Sequence, residues 1–260
     1  MVRIPILIVL LLFFAGTCAL AAMGPQRVAN TVHNLSTSSE WYYVADEEDQ
    51  VCIFCHTPHG GSLDGPLWNR ALPGAMEFTH YTTATLDSVA GGATRALSDE
   101  SLLCMSCHDG AMAVNHVLRP SSGSAGNPTM NSGQTDVALV WLGPVIAGRI
   151  GGAFGEDGML TEETRNLTDD HPISFSYDAV RTAYQSVGRG NQLHSAVEAA
   201  TAGVRFYGAG NRVECGSCHD PHVNYDSTIP WDDPTADEKY RPFLIMPNTG
   251  SAMCLACHNK

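Results

Sequence analysis

The sequence has 260 residues, a formal net charge of −13, 44% hydrophobic residues and 16% charged residues. The hydrophobic share excludes a wholly disordered chain. The acidic balance argues against binding to nucleic acid, whose phosphates need a basic surface. The 25 glycines and 14 prolines indicate many turns and short elements rather than long regular ones.

The first 21 residues are typical of a secretory signal peptide. Arg3 precedes an apolar run from Ile4 to Phe14, and Ala19-Leu20-Ala21 supplies an A-x-A cleavage site. The run is too short to span a membrane, and no later apolar stretch is long enough to do so. A lipoprotein anchored through Cys18 is the alternative, although Ala15-Gly16-Thr17 is a poor lipobox. We therefore expect an exported protein that is extracellular or at the cell surface, with the periplasm as the alternative.

Once Cys18 is removed, the cysteines form four C-x-x-C pairs: Cys52/Cys55, Cys104/Cys107, Cys215/Cys218 and Cys254/Cys257. A histidine follows each pair directly: His56, His108, His219 and His258. C-x-x-C-H is the attachment signature of c-type haem, in which two thioethers hold the porphyrin and the histidine binds the iron. Disulfides and zinc knuckles also use C-x-x-C, but neither requires a histidine after every pair. The spacing therefore predicts four covalent c-type haems.

Four six-coordinate irons need four further axial ligands, and seven histidines remain: His33, His59, His80, His116, His171, His194 and His222. His59 and His222 stand in the repeated setting C-H-x-P-H. Three residues span at most about 10 Å, and one of them is proline, so neither histidine easily rounds the edge of its own porphyrin. We expect both to bind a neighbouring haem, the alternative being two surface turn histidines.

The chain is organised as a repeat. Residues 52–108 read C-x-x-C-H-x-P-H and then C-x-x-C-H, and residues 215–258 repeat that order. We predict a signal peptide over 1–21, a first haem-pair module over 22–120 and a second over 206–260. The segment 121–205 connects the two modules.

Four further segments resemble the doubled-CxxCH multihaem cytochromes: His33–Ser36, Pro66–Arg70, Cys107–Gly110 and Asp170–Phe175. Within that family the chain is most similar to the tetrahaem, OmcE-type extracellular cytochromes, which polymerise into electron-conducting filaments. The resemblance covers the chain from about residue 30 to its C-terminus.

This resemblance implies that His33 and His171 serve as distal ligands beside His59 and His222. It also implies self-association, with one distal histidine supplied by an adjacent subunit, and we predict that this one is His33. Redox proteins or extracellular electron acceptors are the other implied partners. His116 is a rival ligand because it follows His108 closely.

The predicted fold class is a multihaem c-type cytochrome, mostly coil with short α-helices and few strands around a core of four stacked haems. Ser98, followed by acidic residues, predicts the start of a short helix that carries Cys104–His108. Helices are also predicted at Ser176–Gln185 and Asn191–Ala202, and a strand at Val137–Trp141. His80 is expected on a surface strand or loop.

The predicted function is electron transfer without catalysis. Two imidazoles on each iron leave no position for a substrate, whereas a multihaem reductase needs an open one. A discrete periplasmic shuttle is a further alternative, which would hold all four distal histidines within one chain. The mature charge of about −14 opposes self-association and favours that shuttle, while the family resemblance favours the filament.

Overall fold

A computed structural model describes the chain in segments: residues 26–62, 65–73, 77–121, 126–139, 150, 166–225 and 236–259. The predicted signal peptide lies outside these segments. None of the helices within them is long and apolar enough to cross a membrane.

The α-helices are short, and the longest have ten residues: α1 Ala84–Ala90, α2 Asp99–His108, α3 Tyr177–Ser186, α4 Ala196–Ala202 and α5 Ala252–Cys257. Side chains cap the N-termini of some of them: Thr83 accepts from the Leu86 N–H at the start of α1, and Ser195 forms a capping box with Glu198 at the start of α4. Left-handed Gly203 ends α4. Single 3-10 turns lie at Val28–Asn30, Val51–Phe54, Gly190–Gln192, Cys215–Ser217, Glu238–Tyr240 and Thr249–Ser251.

Two small sheets join distant parts of the chain. The strands are β1 Glu77–His80, β2 Thr94–Ala96, β3 Asn166–Leu167, β4 Phe175–Ser176 and β5 Arg212–Val213. β1 lies between antiparallel β2 and parallel β3, and β4 pairs antiparallel with β5. The segment predicted as a connection therefore contributes β3 beside the first module and β4 beside the second.

Buried apolar side chains form several small clusters rather than one continuous core. The largest has nine buried residues: Leu35, Tyr43, Ala45, Ile53, Phe54, Val114, Met130, Val137 and Leu139. Motif cysteines pack against the clusters, with Cys107 beside the first and Cys218 beside another, formed by Leu244, Ile245 and Met253. Cysteines of two attachment motifs therefore take part in the packing of these clusters.

Two of the predicted helices are present at the predicted positions. The helix after Ser98 is α2, although the Ser98 side chain makes no cap and instead donates to the Glu214 carboxylate. The helix predicted from Ser176 is α3, with Ser176 as its side-chain cap.

Other element predictions are wrong in part. The helix predicted over Asn191–Ala202 forms only from Ala196, because Leu193 is extended and its side chain is buried. Of the strand predicted at Val137–Trp141, the described residues 137–139 contain only a single bridge, between Ala138 and Ala113. His80 does lie on a strand, but it is buried rather than on the surface.

Candidate functional site

The first motif of each predicted module lies on a 3-10 turn. In the first module the His56 N–H donates to the Cys52 carbonyl at 2.8 Å. In the second the His219 N–H donates to the Cys215 carbonyl at 3.0 Å. A helical turn brings residues three and four apart onto one face. Each histidine therefore stands beside its own two cysteines.

The second motif of each module ends a short α-helix. Cys104–His108 forms the last turns of α2, and Cys254–Cys257 lies in α5 with His258 as its C-cap. The His258 N–H bonds the Cys254 carbonyl at 2.8 Å. The predicted repeat is thus visible in the backbone as a 3-10 motif followed by an α-helical motif in each half.

Proline carbonyls orient the histidines of the two 3-10 motifs. His56 Nδ1 donates to the Pro66 carbonyl at 2.8 Å, and His219 Nδ1 donates to the Pro242 carbonyl at 2.9 Å. When Nδ1 carries the proton, Nε2 keeps its lone pair and can bind a metal. Both rings are therefore held in the tautomer that a haem iron requires.

The residues after each proline form a strap along the motif. Leu67 and Phe243 both have positive φ, at 57° and 56°, and their carbonyls accept from the N–H of Thr57 and Asp220 at 2.9 and 2.8 Å. Two residues further along each strap, a backbone N–H bonds back to the motif. The Asn69 N–H bonds the Cys55 carbonyl at 2.8 Å, and the Ile245 N–H bonds the Cys218 carbonyl at 2.9 Å. The two modules therefore share a structural feature that their side-chain patterns do not display.

Two predicted distal histidines are oriented through Nδ1 as well. His222 Nδ1 lies 2.7 Å from Asp220 Oδ1, and Arg205 donates to the other oxygen of that carboxylate at 3.0 Å. Burial alone would raise the pKa of Asp220, but hydrogen bonds from His222 and Arg205 hold it well below its usual range. His171 Nδ1 donates to the Pro172 carbonyl at 2.9 Å.

Three pairs of histidine rings face one another within the chain. The ring centroids of His56 and His222 are 6.2 Å apart with the planes 15° from parallel. The His33 and His108 centroids are 6.1 Å apart at 68°, and those of His171 and His258 are 6.4 Å apart at 74°. Each pair joins one motif histidine to one predicted distal histidine.

These separations fit two axial ligands of one metal. Metal–imidazole bonds are about 2.0–2.1 Å long, so nitrogens on opposite sides of one ion lie about 4 Å apart. Ring centroids lie roughly 1 Å further back on each side, which gives about 6 Å between them. All three pairs have that spacing, so the histidines fit a haem iron, which needs only two protein ligands.

His33 faces a motif of its own chain. Its ring contacts Phe243 as well as His108, and desolvation together with the neighbouring His108 and His222 rings lowers its pKa to about 3. A neutral imidazole is the form that binds a metal. The His33 ring therefore lies opposite a motif histidine of its own chain.

His59 and His219 remain. Both are exposed, and neither ring faces another histidine among the residues that the structure describes. The rival ligand His116 is also exposed, and its Nε2 pairs with Asp136 at 2.8 Å. His194 precedes α4 and bonds Cys257 through its backbone N–H. Of the eight predicted ligands, the chain therefore brings six together in pairs.

The four motifs lie beside one another in chain order. Burial, and to a smaller extent the nearby Cys107, raise the pKa of Cys55 to about 12. The thiols of Cys104 and Cys215 hydrogen-bond each other. Burial and Cys257 raise the pKa of Cys218 to about 11. All eight motif cysteines are free thiols, and these interactions indicate that the first motif lies near the second, the second near the third and the third near the fourth.

The sequence analysis missed Pro172, whose carbonyl orients the adjacent His171, and three further residues that orient ligands: Pro66 and Pro242 beside motif histidines, and Asp220. Backbone carbonyls leave no signal in a side-chain pattern, so Pro66 and Pro242 could be found only by aligning the two modules beyond their cysteines. Asp220 could have been found, because a carboxylate two residues before a ligand histidine is a common orienting partner.

Comparison with known proteins adds no relative. No protein-family model matches the chain, and no curated protein matches it. Within the described segments, no group of three or more His, Cys, Asp or Glu side chains could hold a metal ion by itself.

Proposed function

We propose that this protein is a c-type cytochrome that carries electrons through four covalent haems. The observation that carries the proposal is the set of three facing histidine pairs, each of which includes the histidine of a C-x-x-C-H motif. A bound haem supplies an iron that exchanges one electron between its ferrous and ferric states.

The paired histidines favour electron transfer over catalysis. His56 with His222, His108 with His33 and His258 with His171 would each close both axial positions of an iron. Hydrogen bonds on Nδ1 hold His56, His222 and His171 in place. Rings that are held in this way reorganise little when the charge on the metal changes, and they leave no position for a reactant at these three sites.

The order of the motifs supports conduction along the molecule. The electrostatic interactions of Cys55 with Cys107 and of Cys218 with Cys257, and the hydrogen bond between Cys104 and Cys215, indicate that consecutive attachment points are near one another. Haems held at these points would form one row, with the first motif at one end and the fourth at the other. The row supports an exported conduit that delivers electrons to external acceptors.

The proposal includes self-association into a filament, but the histidine that it assigns to the contact between chains is no longer His33. Since His33 faces His108, the exposed His59 is the better donor to a neighbouring chain, and the exposed His219 is the better acceptor. A contact between two different surfaces of one chain is heterologous, and it builds an open filament when its rotation does not close a ring. His59 of each chain would then complete the site at His219 of the next.

A reductase is the second candidate, because His219 has no facing histidine within the described part of its own chain. An iron held there in an isolated chain would keep an open position for a reactant. A discrete shuttle would show the same open position unless a further histidine moved toward it.

Haem content and spin state test these readings on the exported, haem-loaded protein. We expect four covalent haems per chain in the pyridine haemochrome assay. Electron paramagnetic resonance should show four low-spin ferric haems in filaments and three low-spin with one high-spin haem in monomers. No covalent haem would refute the proposal, and a high-spin haem that persists in assembled filaments would favour the reductase.

A further inference from the structure

Arg70 is a fully buried cation, and no carboxylate in the described part of the chain pairs with it. Every guanidinium N–H points at a neutral oxygen: the carbonyls of Ser106, Ala113, Val114 and His116 at 2.6–3.2 Å, with the Ser106 hydroxyl at 3.3 Å. None of the ion pairs within the described segments includes it. Buried charges are normally paired or bound to an opposite charge, so a retained lone cation calls for an explanation.

Arg70 lies between the first two attachment motifs. Its partner Ser106 stands between Cys104 and Cys107, and the N–H of the preceding Asn69 bonds the Cys55 carbonyl at 2.8 Å. The positive charge is felt at both motifs, because it opposes the effect of burial on the pKa of Cys55 and of Cys107. Carbonyl dipoles hold the guanidinium in place but cannot cancel its net charge.

We propose that Arg70 raises the reduction potentials of the two haems attached at Cys52–His56 and Cys104–His108, and so sets the direction of electron flow. The inference rests on the proposed function. Reduction removes one positive charge from an iron, so a buried cation nearby stabilises the ferrous state. Solvent and salt screen such a buried charge only weakly.

A buried anion lies in the middle of the row, beside the third motif and against the α2 helix that carries the second. Glu214 precedes Cys215, and its carboxylate accepts from Ser101 Oγ at 2.6 Å and Ser174 Oγ at 2.9 Å. The partly exposed Arg212 pairs with it at 3.1 Å and offsets part of its charge. The remaining negative charge favours the ferric state at the third motif. Electrons would therefore run from the second module toward the first.

The test is spectroelectrochemical titration of the haem-loaded protein with Arg70→Gln, Arg70→Lys and a matched control. The control is Arg119→Gln, which makes the same chemical change at an exposed side chain that donates to Gly60. In Arg70→Gln we expect the reduction potentials of two of the four haems to fall by about 59 mV, which is about a tenfold change in the reduction equilibrium. Arg70→Lys and Arg119→Gln should leave all four close to the wild type.

Arg70→Gln also removes hydrogen bonds that hold α2, so a second variant covers the case in which it fails to fold. Ser106→Asp places a carboxylate beside the guanidinium and keeps Arg70 itself, and it should lower the same two reduction potentials. At least one of the two variants is expected to fold and to carry four haems. If the reduction potentials of that variant equal those of the wild type, the inference is overturned. A wild-type chain without covalent haem would instead refute the proposed function.

Discussion

Pro66 and Pro242 occupy equivalent positions in the two halves of the chain, each with its carbonyl on the Nδ1 atom of a motif histidine. Each proline is followed by a residue with positive φ and then by a strap that bonds back to the motif. The duplication therefore extends past the cysteines into the parts that set ring orientation. Oriented imidazoles are what distinguish a metal-ready site from a pair of nearby histidines.

The Asp220 carboxylate should be required for firm binding by His222. Asp220→Ala removes the acceptor of the His222 Nδ1 proton, and loss of such a partner typically weakens a metal site by 10- to 100-fold. We expect the haem at His56 to become partly high-spin and to bind carbon monoxide after reduction, measured by absorption spectroscopy. Asp136→Ala is the matched control, since it removes the carboxylate from His116, which faces no motif histidine. Equal spectra for the two variants would contradict the assigned pair.

Ligation within the chain and between chains can be separated by two alanine variants. His33→Ala should create one high-spin haem and leave filaments intact, because His33 faces His108 of its own chain. His59→Ala should keep four haems and abolish filaments, scored by negative-stain electron microscopy. The reverse result, with filaments lost only in His33→Ala, would restore the sequence-based prediction that His33 is the ligand shared between subunits.

Buried His80 predicts a fall in stability on acidification. Burial first, and then the Arg95 charge, lower the pKa of His80 to about 4, below its ordinary value of 6.5. The unfolded chain therefore binds the proton first, so the contribution is complete above about pH 6.5 and is lost as the pH falls toward 4.

We expect His80 to account for about 2 kcal/mol of the free energy of unfolding lost between about pH 7 and about pH 5. His80→Gln does not titrate and can still donate to the Arg95 carbonyl, which His80 Nε2 approaches at 3.4 Å. Guanidinium denaturation at the two pH values measures the difference. An equal pH dependence in the variant would show that other groups are responsible.

The Asn69 side chain should be a large single contributor to stability. It is fully buried, and its amide donates to the Ile53 and Arg119 carbonyls at 2.7 and 2.9 Å while its oxygen accepts from the Arg119 N–H. Asn69→Ala leaves these groups without partners in a buried site, at about 1–3 kcal/mol for each unsatisfied group. Thermal denaturation should show a clear drop in melting temperature, and a drop no larger than that of a surface variant would contradict this role.

The motifs and two of the helices could be predicted because their signals are local. In the proposed cytochrome the cysteine spacing matches the two attachment points of one porphyrin, and Ser176 caps α3 through its own side chain. The prediction for Asn191–Ala202 failed in its first half because burial of Leu193 overrides the helical pattern.

Long-range pairings lay beyond sequence reasoning. Nothing local to His33 indicates that its ring will face His108, since that contact depends on how the segments between them fold back. Spare histidines obscured the choice further, because a pattern cannot tell an exposed His116 paired with Asp136 from a ligand. The burial of Arg70 is equally non-local, since its acceptors come from a different part of the chain.

The scattered apolar clusters have a consequence for biogenesis. Among the described residues the largest cluster has nine buried side chains, and in the proposed cytochrome the porphyrin rings would supply further apolar surface between the clusters. Burial also keeps the sulfur atoms of Cys55 and Cys218 protonated, with pKa values near 12 and 11, and protonated thiols are poor nucleophiles. In the proposed cytochrome we therefore expect the thioether bonds to be made before the chain closes around these cysteines, so that haem attachment precedes folding.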